Sequence, residues 1–87
     1  MIVGYDRVFL KKYAKLPQKV REQFKEHVDL FARDPYNSIL YNHPLNAPYA
    51  GCRSISITGD YRAVFYHVND SVVRFINIGR HPELFGH

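Results

Sequence analysis

The stretch NHPLNAPYAGCRSISITGDYRAVFYHVNDSVVRFINIGRHPELFGH, residues 42–87, decides the fold. It contains three runs rich in β-branched and aromatic residues, which favour strands. These runs are CRSISIT at 52–58, YRAVFYHV at 61–68 and VVRFINI at 72–78. The first run alternates polar and apolar residues, which is typical of a strand with one covered face. The second run is apolar on both faces, as expected of a central strand.

Turn residues separate these runs. Gly59-Asp60 lies between the first two and Asn69-Asp70 between the last two. Short connections of this kind join antiparallel neighbours, so the runs predict a three-stranded antiparallel meander. Gly79 is predicted to end the sheet, and Pro82 is predicted to open a final helical turn.

The half of the chain before this stretch predicts one strand and two helices. Residues 1–5 are apolar and rich in β-formers, and Asp6 can cap a first helix that runs to Leu16. Pro17 separates that helix from a second one over residues 18–34. The apolar residues of the second helix recur at helical spacing: Val20, Phe24, Val28 and Phe31. The short joint implies an antiparallel helical hairpin.

The order of the elements predicts an α+β fold. It comprises an N-terminal strand, an antiparallel helical hairpin, a three-stranded antiparallel meander and a short C-terminal helical turn, with the four strands in one sheet. We expect the helices to cover one face of the sheet and to leave the other to water or a ligand. At 87 residues the chain is expected to be a single domain, 1–87.

The composition favours a polyanionic partner in a reducing compartment. Lys and Arg outnumber Asp and Glu by 12 to 8, which gives a formal net charge of +4. The single Cys, Cys52, cannot form an internal disulfide, and the start of the chain lacks a secretion signal, so a cytoplasmic location is predicted. No apolar stretch approaches the roughly 20 residues of a membrane-spanning helix. No Cys/His spacing resembles a zinc site, and no cofactor is predicted.

The sequence resembles the RelE/ParE superfamily of bacterial toxins, and within it the YafQ-like and RelE/StbE-type mRNA interferases. The resemblance is most specific in NHPL at 42–45, GCRSISITGDYRAVFY at 51–66, the ND turn at 69–70 and IGRHPELFG at 78–86. It implies a RelE-like sheet and the toxin half of a type II toxin–antitoxin pair. Such a toxin enters the ribosomal A site and cuts the mRNA there. A cognate antitoxin neutralises it, and the complex binds operator DNA through the antitoxin.

The resemblance also assigns site residues. Carried over by position, the YafQ-like pattern gives four catalytic residues: His43, Asp60, His81 and Phe85. A further His of that pattern falls on Ser56. If that His is a main proton-transfer group, this chain must use another residue for the transfer or be a weaker nuclease. The RelE-type pattern instead keeps an Arg early in the central strand, matched by Arg62, and a basic residue after the last strand, matched by Arg80. The chain blends the two arrangements.

These residue types suit metal-independent RNA cleavage. When the 2′-hydroxyl of RNA attacks the neighbouring phosphorus, the protein must accept one proton, donate another and neutralise charge on the phosphorane. Imidazole titrates near neutrality, so His43 and His81 are the acid/base candidates. Guanidinium binds phosphate oxygens bidentately, which suits Arg62 to charge stabilisation. Phe85 can stack on an unpaired base, and Asp60 is better suited to orient a neighbour than to act as a base.

Other basic residues are candidates for nucleic-acid contact. Arg53 either contacts phosphate or pairs with a helix carboxylate, and the second is favoured. Arg80 is expected to bind phosphate beside the site. Lys11, Lys12 and Lys15 either touch ribosomal RNA or form a solvated helix face.

Two other functions stay open on the sequence. A ParE-like inhibitor of DNA gyrase would share the fold and bind its target without acid/base chemistry. It would have no need for the set of His and Arg residues. A degenerate, non-toxic relative is the other alternative, and the Ser56 departure keeps it open.

Overall fold

The computed structural model describes residues 1–86, so His87, the last residue of the predicted domain, lies outside the described residues. Its elements follow in chain order: β1 Ile2–Tyr5, α1 Arg7–Ala14, α2 Gln18–Arg33, a 3₁₀ turn Ser38–Leu40, β2 His43–Pro44, β3 Arg53–Ser56, β4 Tyr61–Asn69, β5 Val72–Arg80 and α3 His81–Phe85. Among these residues, no helix is long and apolar enough to cross a membrane.

The strands form one mixed sheet in the order β1-β5-β4-β3-β2. β1 runs parallel to β5, and the other neighbours are antiparallel. The α+β fold and the meander are therefore confirmed. The sheet has five strands rather than the predicted four, because His43–Pro44 pairs with Ser54 and Arg53 at the edge. A two-residue strand is too short to carry a period-2 signal, which explains why the sequence did not indicate it.

Gly79 does not end the sheet, so that prediction is wrong. β5 continues through Gly79, which pairs with Arg62, to Arg80. A Cβ at Gly79 would lie 3.5 Å from the Cβ of Glu83, an ordinary van der Waals distance, so α3 packs directly against the strand here. The chain turns one residue later, where the Arg80 N–H donates to Glu83 Oε1 at 3.0 Å. The final helical turn around Pro82 is confirmed.

The helical hairpin is also confirmed, but Asp6 does not cap it through its side chain. The Asp6 carboxylate makes no cap hydrogen bond within the described chain. Its Oδ1 instead lies 3.6 Å from Arg74 Nη2 in an exposed pair. The neighbouring strand thus offers the carboxylate a cationic partner, and this tertiary contact replaces the predicted local one.

An aromatic cluster fills the space between the helices and one face of the sheet. Phe75 lies at its centre, with its ring centroid 5.3 Å from that of Phe65 and 5.6 Å from that of Phe24. Phe9 and Phe31 each lie 5.8 Å from it. Rings at these separations bury large apolar areas and add favourable edge and stacking contacts. The cluster packs against β4 and β5, the strands that support the site described below.

We expect Phe75→Ala to lower the free energy of unfolding by about 3–5 kcal/mol, because it removes the ring that all these neighbours share. Urea unfolding followed by circular dichroism measures the loss. Val68→Ala on β4, where the side chain is 50% exposed, is the control and should change stability little. Similar losses in the two variants would contradict the assignment of the core to this face.

Candidate active site

A cavity of about 410 Å³ lies on the side of the sheet away from α1 and α2. Arg62 reaches it from β4, while the next residue, Ala63, is buried in the core on the other face. The lining residues come from the loop after the 3₁₀ turn, from β2, from β4 and from α3: Tyr41, His43, Leu45, Asn46, Ala47, Pro48, Arg62, His81 and Phe85. The fold therefore brings together four of the five predicted catalytic residues.

Arg62 is the charged centre of this cavity. Its Nε and Nη2 lie 3.0 and 2.8 Å from Ser54 Oγ, and Nη2 lies 3.1 Å from the Tyr41 carbonyl oxygen. Burial lowers the pKa of Arg62 from its ordinary value, and the Tyr41 phenol partly opposes this shift. The guanidinium still keeps its charge at neutral pH. Within residues 1–86 no carboxylate lies within ion-pair distance of it. A half-buried cation without a carboxylate is stabilised by an anion from outside.

The hydrogen bonds around Arg62 fix the tautomer of His43. His43 Nδ1 lies 2.9 Å from the Tyr41 carbonyl oxygen and 3.3 Å from Arg62 Nη2. Nη2 has two protons, and the two shorter contacts to Ser54 and Tyr41 use both. Nδ1 of His43 therefore carries the proton and donates it to the Tyr41 carbonyl. The Nε2 lone pair is then the proton acceptor of this imidazole.

Tyr41 makes this arrangement through an unusual backbone conformation. Its φ of 46° and ψ of 51° are left-handed, the only positive φ of a non-glycine residue in 1–86. This conformation costs about 1–2 kcal/mol for an L-residue. It directs the carbonyl to both Arg62 and His43. Backbone strain of this kind is often found at functional sites, where the surrounding contacts hold the residue in its unfavourable conformation.

The opposite wall of the cavity is aromatic and comes from α3. His81 and Phe85 are four residues apart on the helix, and their ring centroids are 4.7 Å apart. Phe85 meets Tyr49 edge-on at 5.8 Å. Asn77 Nδ2 donates to the Tyr49 hydroxyl at 2.9 Å, which fixes that ring against β5. The two imidazoles thus reach one cavity from different walls, with Arg62 also lining it.

Asp60 and Ser56 do not line the cavity. Asp60 is exposed in the β3–β4 turn, where its N–H lies 3.2 Å from Thr58 Oγ1. The Ser56 hydroxyl donates to the Thr58 carbonyl at 3.1 Å. Both residues stabilise the turn, and neither is placed to transfer a proton within the cavity.

The other predicted phosphate ligands lie outside the cavity. Arg53 Nε donates to Asn42 Oδ1 at 2.8 Å, so its partner is an amide rather than a helix carboxylate. The Arg80 guanidinium lies 5.6 Å from the centroid of the Tyr61 ring. Tyr61, Lys12 and Lys15 line a second hollow of about 260 Å³, and Lys11 is exposed on α1. Arg80, Lys12 and Lys15 thus form a basic surface around this hollow, and Arg53 lies apart from it near the edge of the sheet.

Sequence reasoning missed Tyr41 and Ser54. Tyr41 contacts its neighbours through its backbone carbonyl. Every residue has this group, so the residue type at position 41 does not indicate the role. The only signal for Ser54 was the alternation of β3, which places it opposite Ile55. Ser54 is fully buried and accepts from Arg62. In residues 1–86 no three His, Cys, Asp or Glu side chains are grouped to hold a metal ion.

Comparison with solved structures finds the same fold in bacterial toxins. YafQ from E. coli strain BL21(DE3) is 26% identical, with 97% of each chain covered and a TM-score of 0.77. The toxin–antitoxin complex DinJ-YafQ of E. coli matches at 26% identity over 97% of this chain and 96% of that one, with a TM-score of 0.75. The RelBE toxin–antitoxin complex of E. coli matches at 25% over 91% and 94%, with a TM-score of 0.68. No family model and no curated protein matches the sequence.

These matches support a RelE/YafQ-like toxin and confirm the resemblance inferred from the sequence motifs. The match to YafQ extends over the sheet, the helical hairpin and the short last helix, since 97% of this chain is covered.

The hydrogen bonds of His43 lead to a testable prediction. At a pH at which the imidazole is neutral, two-bond ¹H–¹⁵N spectra should show a protonated Nδ1 and an unprotonated Nε2 for His43. His67, an exposed imidazole on β4, is the internal reference. Ser54→Ala should leave this tautomer unchanged, because the Tyr41 carbonyl still accepts the Nδ1 proton. A wild-type His43 protonated at Nε2 would contradict the assignment.

Proposed function

We propose that the protein is the toxin of a type II toxin–antitoxin system and that it cleaves mRNA on the ribosome as a metal-independent endoribonuclease. One observation carries the proposal: His43, His81 and Arg62 line a single cavity, and Arg62 has no carboxylate partner in the described chain. This is the set of groups that in-line attack by a 2′-hydroxyl requires.

In the proposed reaction the RNA supplies its own nucleophile. The 2′-oxygen attacks the adjacent phosphorus while His43 Nε2 takes the hydroxyl proton. The bond from phosphorus to the 5′-oxygen breaks, and protonated His81 gives that oxygen a proton. The products are a 2′,3′-cyclic phosphate and a 5′-hydroxyl, so no water is consumed. Each proton transfer by a positioned imidazole typically contributes about 10²- to 10⁴-fold.

Arg62 is the proposed electrostatic group. Its side chain is held by Ser54 and by the Tyr41 carbonyl before the substrate arrives, so it needs little reorganisation. Both partners are neutral, and they orient the guanidinium without cancelling its charge. The half-buried position strengthens its attraction to the phosphorane oxygens, because less water screens it. Loss of one such donor typically costs about 10²- to 10³-fold.

The remaining predicted residues have binding roles in this proposal. Phe85 is the stacking residue for an unpaired base on the α3 wall, and Asp60 has no assigned step because it does not line the cavity. The cations outside the cavity would contact RNA phosphates of the message and the ribosome: Lys11, Lys12, Lys15, Arg53 and Arg80. Such contacts make the affinity strongly salt-dependent. Action on ribosomes would place the protein in the cytoplasm.

The proposed partner is a cognate antitoxin. The similar toxins YafQ and RelE are found in solved structures with DinJ and RelB. We propose that the antitoxin of this chain lies across the helices and a sheet edge and covers the basic surface. The complex would bind operator DNA through the antitoxin.

The proposal predicts that Arg62→Ala and His81→Ala each relieve growth arrest when the protein is produced without its antitoxin. Cleavage should fall by about 10²-fold or more in each variant, because each loses a charge-stabilising or proton-transfer group. Arg74→Ala and His67→Ala are matched controls, since both side chains lie outside the cavity. Circular dichroism establishes that all four variants fold.

Primer extension on cellular mRNA after induction measures the activity itself. We expect cuts within translated frames, absent in the two site variants and present in both controls. Intact transcripts with accumulating DNA breaks would favour gyrase inhibition instead. Full toxicity of both site variants would contradict the assigned residues.

A further inference from the structure

Tyr41 has a side chain that the fold does not explain. It is 67% exposed, so its ring adds little to the core. Its backbone is left-handed, a conformation that Gly and Asn adopt with less strain. The carbonyl that binds Arg62 and His43 would be the same in either residue. Stability alone therefore favours Gly or Asn here, and the ring needs another reason.

The position of the ring indicates that reason. The Cζ atom of Arg62 lies 5.4 Å from the ring centroid of Tyr41, over one face. The ring of His43 lies 4.8 Å away, tilted by 50°. Although Arg62 and His43 both lie against the ring, Tyr41 stays 67% exposed. The ring is thus a flat, rigid and accessible surface beside the cation that is placed for a phosphate.

We propose that Tyr41 is a substrate-binding residue whose ring stacks on one of the two bases flanking the phosphate held by Arg62. The inference rests on the proposed function, since it takes single-stranded RNA as the substrate. Unpaired bases stack on aromatic side chains whatever their sequence. Phe85 lines the same cavity from α3, which gives the second flanking base a platform of its own. Aromatic walls of this kind would splay the two bases and extend the linkage between them.

The test is a fluorescence titration with an all-deoxy trinucleotide that contains 2-aminopurine, a base whose emission is quenched by stacking. This probe has no 2′-hydroxyl and cannot be cleaved. We expect binding and quenching with the wild type, and affinities within about twofold for Tyr41→Phe and Tyr41→Trp. Tyr41→Leu and Tyr41→Asn should bind roughly 5- to 150-fold more weakly, the loss expected for one stacked base. The melting temperature of Tyr41→Asn should equal or exceed that of the wild type.

The chain offers a matched control in Tyr36→Asn. Tyr36 is 65% exposed and its ring lies 5.5 Å from the Cζ atom of Arg53, but it does not line the cavity. This variant should bind the probe as the wild type does. A probe with an abasic site in place of 2-aminopurine should lose no more than about twofold in Tyr41→Asn.

Several results would overturn the inference: no quenching with the wild type, unchanged affinity in Tyr41→Asn, or an equal loss with the abasic probe. The last would mean that the ring acts only by orienting Arg62. An assay of mRNA cleavage on ribosomes, run on the same proteins, separates this inference from the proposed function. Probe binding that depends on Tyr41, without mRNA cleavage, would contradict the nuclease proposal and support the stacking site. Cleavage together with unchanged probe affinity in Tyr41→Asn would support the nuclease and contradict the stacking role of Tyr41.

Discussion

The arrangement of the cavity depends on how Arg62 is held. Its guanidinium is half removed from water, and the oxygens that accept its hydrogen bonds within residues 1–86 are neutral, the Ser54 hydroxyl and the Tyr41 carbonyl. A carboxylate in their place would hold the side chain as firmly but would cancel the charge that an incoming phosphate needs. The same carbonyl also fixes the proton of His43. One backbone group thus sets both the direction of the cation and the tautomer of the imidazole.

The core and the cavity are coupled through the alternation of β4. Ala63 and Phe65 are fully buried on the helix side, so Arg62 between Tyr61 and Ala63 must point to the other face. A shift of one residue in register would bury the guanidinium among aromatic rings, which would cost far more than the sheet could tolerate. The aromatic cluster around Phe75 therefore does more than stabilise the chain, because it fixes which face carries the charge.

Much of this architecture was readable from the sequence, because periodicity and turn residues are local signals. The meander and the helical hairpin follow from them. The edge strand His43–Pro44 gives no signal because two residues have no period, and Gly79 resembles a strand breaker although β5 continues through it. Resemblance indicated the four predicted residues that line the cavity. Tyr41 and Ser54 act through a backbone carbonyl and a buried hydroxyl, and only the folded chain shows where those groups point.

The departure at Ser56 is compatible with the proposed chemistry because two other imidazoles, those of His43 and His81, line the cavity. The Nδ1 proton of His43 is committed to the Tyr41 carbonyl, so only Nε2 is left to act as a base. His81 lines the cavity from α3 and provides the second imidazole. A third one at position 56 would have to give up the hydrogen bond that the Ser56 hydroxyl donates to the Thr58 carbonyl in the β3–β4 turn. A serine at this position therefore stabilises the turn that leads into β4, while the two proposed catalytic imidazoles come from β2 and the last helix.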